Sequence, residues 1–214
     1  MKKTPIPWTS RELTLLNKLD APIKIQNYLN GLVYDAVPGT RSPRWVIKER
    51  KASCFEGALF AAAALRYIGH PPLLVDMRAR NDDDHVLAVF RQNEAWGCIA
   101  KSNFTVLRFR EPVYRSIREL IMSYFDFFFN SIGEKTLREY TAPFNLARFD
   151  KDEWLTTDKD LDYIGDALDR ARHIELMTLK MIRDLQFTDP ALVKAGLIGA
   201  NAAGLYKPKK QGLV

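Results

Sequence analysis

The sequence predicts an α+β fold, because one long apolar helix precedes a run of short strands that tight turns can join. The helix covers Phe55–Ile68, which is apolar on nearly every side and rich in the strong helix former Ala. Pro71 and Pro72 end it, and strands that follow one another closely favour an antiparallel sheet. The chain has 214 residues, enough for one sizeable core, so we expect a single domain over residues 1–214.

The composition excludes several classes of protein. Hydrophobic residues make up 47% and charged residues 27%, which is typical of a globular domain and not of a disordered or fibrous chain. No apolar run approaches the roughly 20 residues of a membrane span, and the first residues lack the apolar stretch of a secretory signal. We therefore expect a cytoplasmic protein, without a membrane partner, in which Cys54 and Cys98 are free thiols.

The elements before the long helix follow from turn formers and helical spacing. Pro5 and Pro7 predict an irregular arm over residues 1–10. Apolar residues recur at helical spacing from Pro22 to Val33, which predicts a helix there. Residues 38–43 are turn formers, and Ser42 with Pro43 predicts the cap and start of a short helix that ends near Lys51.

After the long helix, Gly69 suits a left-handed C-terminal cap, and an antiparallel meander follows. A polar loop, Asn81–Asp84, separates the first two strands, and a hairpin turn at Arg91–Ala95 joins the second to the third. The strands are predicted at Leu73–Arg78, Val86–Phe90 led by His85, Trp96–Ala100, and the alternating run Phe104–Arg110.

The remainder predicts a helical extension to a core at about residues 22–110. This extension, at about residues 111–206, contains one amphipathic helix from Val113 to Phe128 and another from Asp160 to Leu185, with an interruption near His173. Between them, Tyr140–Leu155 around Trp154 suggests a loop that covers, and could gate, a site. Residues 195–204 and the basic tail 207–214, with Lys207, Lys209 and Lys210, suggest poor order.

Cys54 is the first candidate for chemistry, since it stands at the start of the buried helix. Unpaired amide donors and the positive end of the helix dipole favour a thiolate at that position. An amide of the same turn could also stabilise a developing oxyanion. An ordinary core position is the alternative, because cysteine is among the most buried residue types.

His85 and two polar residues after the third strand complete a candidate triad. His85 opens its strand 31 positions after Cys54, and an imidazole is the usual general base for a thiol. A third group must orient the ring, and Asn103 can accept a hydrogen bond from it. Ser102 is the other candidate for that role, and a plain strand-end residue is the alternative for Asn103.

Three local patterns coincide within residues 22–104. Residues 23–35 combine a helix with a trailing Tyr34, and residues 54–71 form a Cys-led, Ala-rich helix that ends in Gly-His-Pro before a strand. His85 leads an apolar strand, and Trp96 opens the next one. In these features the chain resembles the transglutaminase-like family of the papain-like cysteine protein superfamily. The resemblance implies a papain-like core, in which the nucleophile helix packs on an antiparallel sheet.

Carried over residue by residue, the resemblance implies Cys54 as nucleophile and His85 as base. The Asp that family members place about 15 residues after the His corresponds to Ala100, so the third role falls to Asn103, to Ser102 or to neither. Another departure is Ala52, where a Gly often stands. The implied activity is cysteine-dependent acyl transfer, which cleaves or exchanges an amide bond of a protein or peptide through a thioester. Ala100 and Ala52 motivate the alternative, a catalytically silent binding or structural module.

Other ligand classes find little support in the sequence. His70 lies in a turn and His173 in a charged segment, without the His/Cys spacing of a zinc site. Asp82–Asp84 lacks the remainder of a calcium loop, and no Gly-rich phosphate loop is present, so we expect no cofactor. A net charge of +6 favours acidic partners, but without a recognised nucleic-acid module it does not predict nucleic-acid binding. Substrate and oligomeric state stay open.

Overall fold

The computed structural model describes residues 8–209 and has a mixed helix and sheet architecture. Its helices are α1 (Ser10–Leu16), α2 (Pro22–Asn30), α3 (Pro43–Glu49), α4 (Cys54–Tyr67), α5 (Ile117–Met122), α6 (Asp162–Asp169), α7 (Leu179–Arg183) and α8 (Pro190–Gly196). Its strands are β1 (Val33–Tyr34), β2 (Lys51–Ala52), β3 (Leu73–Ala79), β4 (His85–Gln92), β5 (Ala95–Ile99), β6 (Arg110–Tyr114), β7 (Leu137–Thr141), β8 (Phe144–Asn145) and β9 (His173–Glu175).

Seven strands form one antiparallel sheet, which confirms the predicted α+β class. The order is β6-β5-β4-β3-β7-β9, and the short β8 also pairs with β3. The β3–β4 register places Met77 opposite His85, so His85 lies at the end of the sheet where the Asn81–Asp84 loop turns back. β1 and β2 form a separate parallel pair beside the start of α4.

Both faces of the sheet are covered by other elements. Successive residues of a strand point to opposite sides, so each strand contributes side chains to both interfaces. One face packs on α4, whose residues Glu56–Leu65 are all buried. The other face packs on α5 and the aromatic residues that follow it, including Tyr124 and Phe128. This two-sided burial explains why the first six residues of β4 are buried without a break and mostly apolar.

The predicted N-terminal half is largely confirmed. α2 starts at Pro22 as predicted and ends at Asn30, three residues before Val33. α3 and α4 lie where the sequence places them, and Gly69 has the left-handed φ of +101° that a C-terminal cap favours. Ser42 is the N-cap of α3 as predicted, but its buried hydroxyl makes no capping bond and has no hydrogen-bond partner among residues 8–209.

The predictions for residues 104–128 need correction. The strand expected over Phe104–Arg110 is wrong: Thr105–Leu107 forms a 3-10 turn, and β6 starts only at Arg110. The helix expected from Val113 is reduced to α5, because Val113 lies in β6, where Trp96 of β5 pairs with Tyr114. Backbone hydrogen bonds to the edge strand β5 stabilise a strand here, although the spacing of the apolar residues is helical.

The long helix predicted over Asp160–Leu185 is also wrong as a single element. It is divided into α6, β9 and α7, with the interruption at His173 where the sequence suggested one. β9 pairs with β7, and Thr141 lies opposite His173. A strand forms here because the edge of β7 offers backbone partners that an isolated helix cannot use.

Trp154 does not cover a site, contrary to expectation. Its side chain is fully buried in the core beside α4, and its indole Nε1 donates to Asp150 at 3.1 Å. Asp150 also accepts two hydrogen bonds from Arg66, in the last turn of α4. The segment around Trp154 therefore braces the helix that carries Cys54, at the end away from Cys54.

The C-terminal region is docked rather than poorly ordered. Thr105 donates to the carbonyls of Ala195 and Gly196 at the end of α8. The chain then continues along the surface near Cys54 as far as Lys209. The predicted arm at Pro5 and Pro7 and the end of the basic tail, from Lys210, lie outside the described residues. Within residues 8–209, none of the helices has both the length and the apolar character that crossing a bilayer requires.

Candidate active site

A capping box fixes the start of α4 and thereby the backbone of Cys54. The Ser53 hydroxyl accepts from the Glu56 amide at 3.2 Å, and the Glu56 carboxylate accepts from the Ser53 amide at 2.8 Å. These reciprocal bonds satisfy two orphan donors of the first turn. Cys54 is the first residue of the helix, where amide donors and the helix dipole favour negative charge.

A buried ion network holds that capping box in place. Glu56 is fully buried, and its second carboxylate oxygen accepts from the Arg41 backbone amide at 3.1 Å and from the Arg41 guanidinium. Arg41 also donates to Asp35 at 3.0 Å. The start of α4 is thus tied to the loop between β1 and α3, which contains both Asp35 and Arg41.

All four sequence-predicted residues line one cavity. Cys54 comes from the start of α4, His85 from the start of β4, and Ser102 and Asn103 from the loop after β5. The ends of these elements converge because β4 packs directly on α4 and pairs with β5. Tyr34, Asp82–Asp84, Phe104, Leu107, Phe128, Phe129, Gly204 and Tyr206 complete the lining.

His85 is oriented by a backbone carbonyl. Its Nε2 lies 2.9 Å from the carbonyl oxygen of Leu107, and its ring meets that of Phe128 edge to face. A carbonyl oxygen only accepts, so the neutral ring carries its proton on Nε2 and leaves Nδ1 as the basic nitrogen. Burial lowers the pKa of His85 to about 4, and the Arg110 charge acts in the same direction, against the Leu107 carbonyl.

Cys54 is protonated in this arrangement. Burial raises the pKa of its thiol to about 11, and the charge of Asp83 adds to the effect, while the Phe55 amide and the Tyr34 hydroxyl oppose it. The thiolate expected from the helix start is therefore not the resting form, because desolvation outweighs the first-turn amide. Because of these two pKa shifts, the resting site holds a thiol and a neutral imidazole. Within residues 8–209, no hydrogen bond joins Cys54 to His85.

Asn103 does not make the orienting contact that the sequence suggested for it. Its side-chain oxygen accepts from the Asn201 amide at 2.7 Å, and its nitrogen donates to the carbonyls of Asn201 and Gly204 at 2.9 and 3.0 Å. Ser102 instead accepts from the Phe104 amide at 3.0 Å, as a local turn. The contact to the His85 ring comes instead from the Leu107 carbonyl, which sequence reasoning missed because a backbone oxygen has no residue-type signature.

Cys98, the other thiol, belongs to the core. It is fully buried on the sheet face away from α4, where its sulfur lies 2.9 Å from the Tyr124 hydroxyl. Burial raises the pKa of Cys98 to about 12. Only Cys54, therefore, combines partial exposure with a cavity.

Carboxylates at the edge of the cavity could hold a hard cation. Oxygen atoms of Asp76, Asp84 and Asp169 lie within 4.8 Å of one another, and oxygen ligands suit Ca²⁺ or Mg²⁺. His173 Nε2 lies 3.3 Å from Asp76 and competes for it. Burial raises the pKa of Asp76 to about 6, with Asp84 adding and His173 opposing. Asp84 is the one of these three carboxylates that lines the cavity, so the cluster borders the site of Cys54.

No protein-family model and no curated protein sequence matches the chain.

Proposed function

We propose that the chain is a cysteine-dependent acyl-transfer enzyme that acts on an amide bond of a protein or peptide. One observation carries this proposal: Cys54, at the start of a buried helix, lines the same cavity as His85, whose ring is held with Nδ1 free to act as a base. A nucleophile, a base and a group that orients the base are the parts such a reaction needs.

The reaction follows from these parts. The Cys54 sulfur attacks the amide carbonyl as its proton passes to His85, and the first-turn amides of α4 stabilise the oxyanion. When the tetrahedral intermediate collapses, the carbon–nitrogen bond breaks and His85 gives the proton to the leaving amine. A thioester on Cys54 remains. Water then releases a carboxylic acid, or a second amine forms a new amide, and either step returns the proton to sulfur.

We further propose that the fold is of the papain-like, transglutaminase-like type. The support is the order of the elements: a Cys-led helix, α4, is followed by antiparallel strands, and the second of them, β4, begins at His85. Residues 22–110 would form the core, and α5 to α8 the C-terminal extension. The orienting group would be the Leu107 carbonyl, so the site would work as a Cys–His pair without a side-chain third member.

Interception of the thioester tests the activity. The full chain would be incubated with a peptide library and hydroxylamine, which converts a thioester to a hydroxamate detectable by mass spectrometry. We expect hydroxamate products with the parent chain, none with Cys54→Ala, and at least about 100-fold fewer with His85→Gln, because general acid–base groups typically contribute that much. Cys98→Ser is the matched control, since Cys98 lies on the opposite face of the sheet.

The alternative is a catalytically silent binding or structural module. The specific observation in its favour is that Cys54 and His85 are both neutral at rest and share no hydrogen bond within residues 8–209. An absence of hydroxamate, combined with a Cys54 alkylation rate that His85→Gln leaves unchanged at every pH, would support this module and contradict the enzyme.

A further inference from the structure

The last described residues of the chain form part of the wall of the cavity that holds Cys54. Gly204 and Tyr206 line this cavity beside His85. The same two residues, with Ala203 and Leu205, also line a second depression on the other side, against residues 34–39. Tyr34 and Asp83 line both the cavity and the depression. Residues 203–206 thus lie between the cavity and the depression. We call the longer groove that the two would form without this segment the groove.

Two asparagine side chains hold this segment by its main chain. Asn103 accepts from the amide of Asn201 and donates to its carbonyl. At the other end, Asn81 accepts from the amide of Lys209 at 2.8 Å and donates to its carbonyl at 3.0 Å. Each asparagine thereby satisfies both backbone groups of one residue. Between these contacts Ala202–Gly204 forms a 3-10 turn. Such contacts recognise the peptide by its backbone and leave its side chains unread.

Asn81 is held in place by a contact outside the segment, whereas Asn103 uses its side chain for hydrogen bonds to the segment itself. Asn81 has a left-handed φ of +60°, and its side-chain nitrogen also donates to Glu134 at 2.7 Å. Asn103 is buried at the end of the loop after β5. A binding group held rigidly in advance loses little conformational freedom when a peptide arrives.

Side-chain selection occurs at Gly204. A Cβ atom added there would lie 2.7 Å from the Tyr34 ring and 3.3 Å from the Asn103 nitrogen. No ordinary carbon contact is that short, so a larger residue at this position cannot keep the same path. The φ of Gly204 is not left-handed, so the restriction comes from the Tyr34 ring and not from the backbone conformation.

The charges of groove and segment are complementary. Asp82, Asp83 and Asp84 line the groove wall next to Asn81, and the segment carries Lys207 and Lys209. Opposite charges that remain near water add modestly to affinity and more to selectivity. The groove therefore favours a peptide with basic residues after its glycine.

We propose that this groove is a binding site for peptides in which a turn ending in glycine is followed by basic residues, and that residues 201–209 occupy it as an intramolecular ligand. The inference deepens the proposed function, on which it rests for the idea that a bound peptide is a substrate. The chain's own segment would then keep Cys54 covered until a peptide takes its place.

The test uses the full chain and the rate of Cys54 alkylation by iodoacetamide at pH 7.5, followed by peptide mass spectrometry. Gly204→Val should expel the segment and accelerate alkylation at least about tenfold, because an exposed thiol returns towards its ordinary pKa of about 8.5. Ala202→Val is the matched control, since Ala202 is exposed and lines neither the cavity nor the depression. It should alkylate at the parent rate.

A peptide added in trans tests the groove directly. The acetylated and amidated nonapeptide with the sequence of residues 201–209 should slow alkylation of the Gly204→Val chain in a saturable way. The same peptide with valine at the glycine position should not. Asn201→Ala provides a second variant that loses only a side-chain bond to the Tyr34 carbonyl and a local turn bond, and it should accelerate alkylation by a smaller factor.

The outcomes separate this inference from the proposed function. Unchanged alkylation in both Gly204→Val and Asn201→Ala, with cooperative unfolding retained, would overturn the inference, as would equal protection by the glycine and valine peptides. Acceleration and selective protection without any hydroxamate product would support the groove and contradict acyl transfer. Hydroxamate formation at the same rate in the parent and in Gly204→Val would contradict the groove and leave the enzyme.

Discussion

Gly57→Ala should destabilise the protein, although alanine is the better helix former. Gly57 lies in the first turn of α4, and a Cβ atom added there would come within 2.2 Å of the Lys101 Cβ and 3.1 Å of its Cγ. Lys101 cannot retract freely, because its buried ammonium donates to the carbonyls of Leu29 and Leu32. The helix and the loop after β5 therefore meet at a point where only glycine fits.

The size of the effect follows from two opposing contributions. Alanine in place of a helical glycine stabilises by about 1 kcal/mol. Overpacking costs about 1–3 kcal/mol, and this contact is at the upper end because carbon atoms ordinarily lie about 3.5–4 Å apart. We expect a net loss of about 2 kcal/mol in the free energy of unfolding. The movement of Lys101 would also displace Ser102 and Asn103, which line the cavity.

Urea denaturation measures the effect. With an m-value of about 3 kcal/mol/M, a loss of about 2 kcal/mol lowers the midpoint by about 0.7 M. Gly165→Ala in α6 is the matched control: its added Cβ would lie 3.4 Å from the Phe55 ring, an ordinary contact, so the same substitution should raise the midpoint slightly. A Gly57→Ala midpoint equal to or above that of the parent would refute the close approach.

Three further predictions concern buried charge. Glu56→Ala should cost about 3 kcal/mol of unfolding free energy in urea denaturation, because it removes the carboxylate half of the capping box of α4 and leaves Arg41 short of a partner, whereas Glu56→Gln should cost less. The folded pKa of Asp76, about 6, lies above its ordinary value of 3.8, so the folded state loses stability as pH rises from about 4 to 6. Burial also raises the pKa of Asp82 to about 6, so Asp76→Asn should reduce that fall in a pH series of unfolding midpoints without abolishing it. Asp150→Ala should cost about 1–2 kcal/mol by thermal unfolding through its bidentate pair with Arg66, and Asp150→Asn an intermediate amount.

Local signals predicted the first half of the fold well, and long-range pairing explains the failures in the second half. α3 and α4 begin at or within one residue of their predicted starts, because Pro43, the apolar run and Gly69 act on their own neighbours. β9, by contrast, forms only because β7 lies beside it, and residues 173–175 carry no strand pattern of their own. Pairing across about 30 residues is a tertiary effect, which local propensity does not contain.

For the candidate site too, local signals were predictable and long-range contacts were not. Cys54 and His85 share a cavity as predicted, since helix and strand starts were visible in the sequence. The role of Asn103 could not be predicted, because its partner, Asn201, lies 98 residues away in a stretch that suggested a loose tail. The ring of His85 is held by the Leu107 carbonyl, which the expected strand would have directed into the sheet.

The neutral state of Cys54 and the position of the C-terminal segment are coupled on the proposal of an intramolecular ligand. Burial is the largest cause of the raised pKa of Cys54, and Gly204 and Tyr206 supply part of the cavity wall. A segment that binds the thiol form better than the thiolate form must, by linkage, be weakened when the thiol ionises, and by the same factor. Release of residues 201–209 should therefore lower the pKa of the Cys54 thiol, and a peptide that fills the groove as the segment does should raise it again. Covering and protonation of the nucleophile then need no separate switch, because occupancy of one groove sets both.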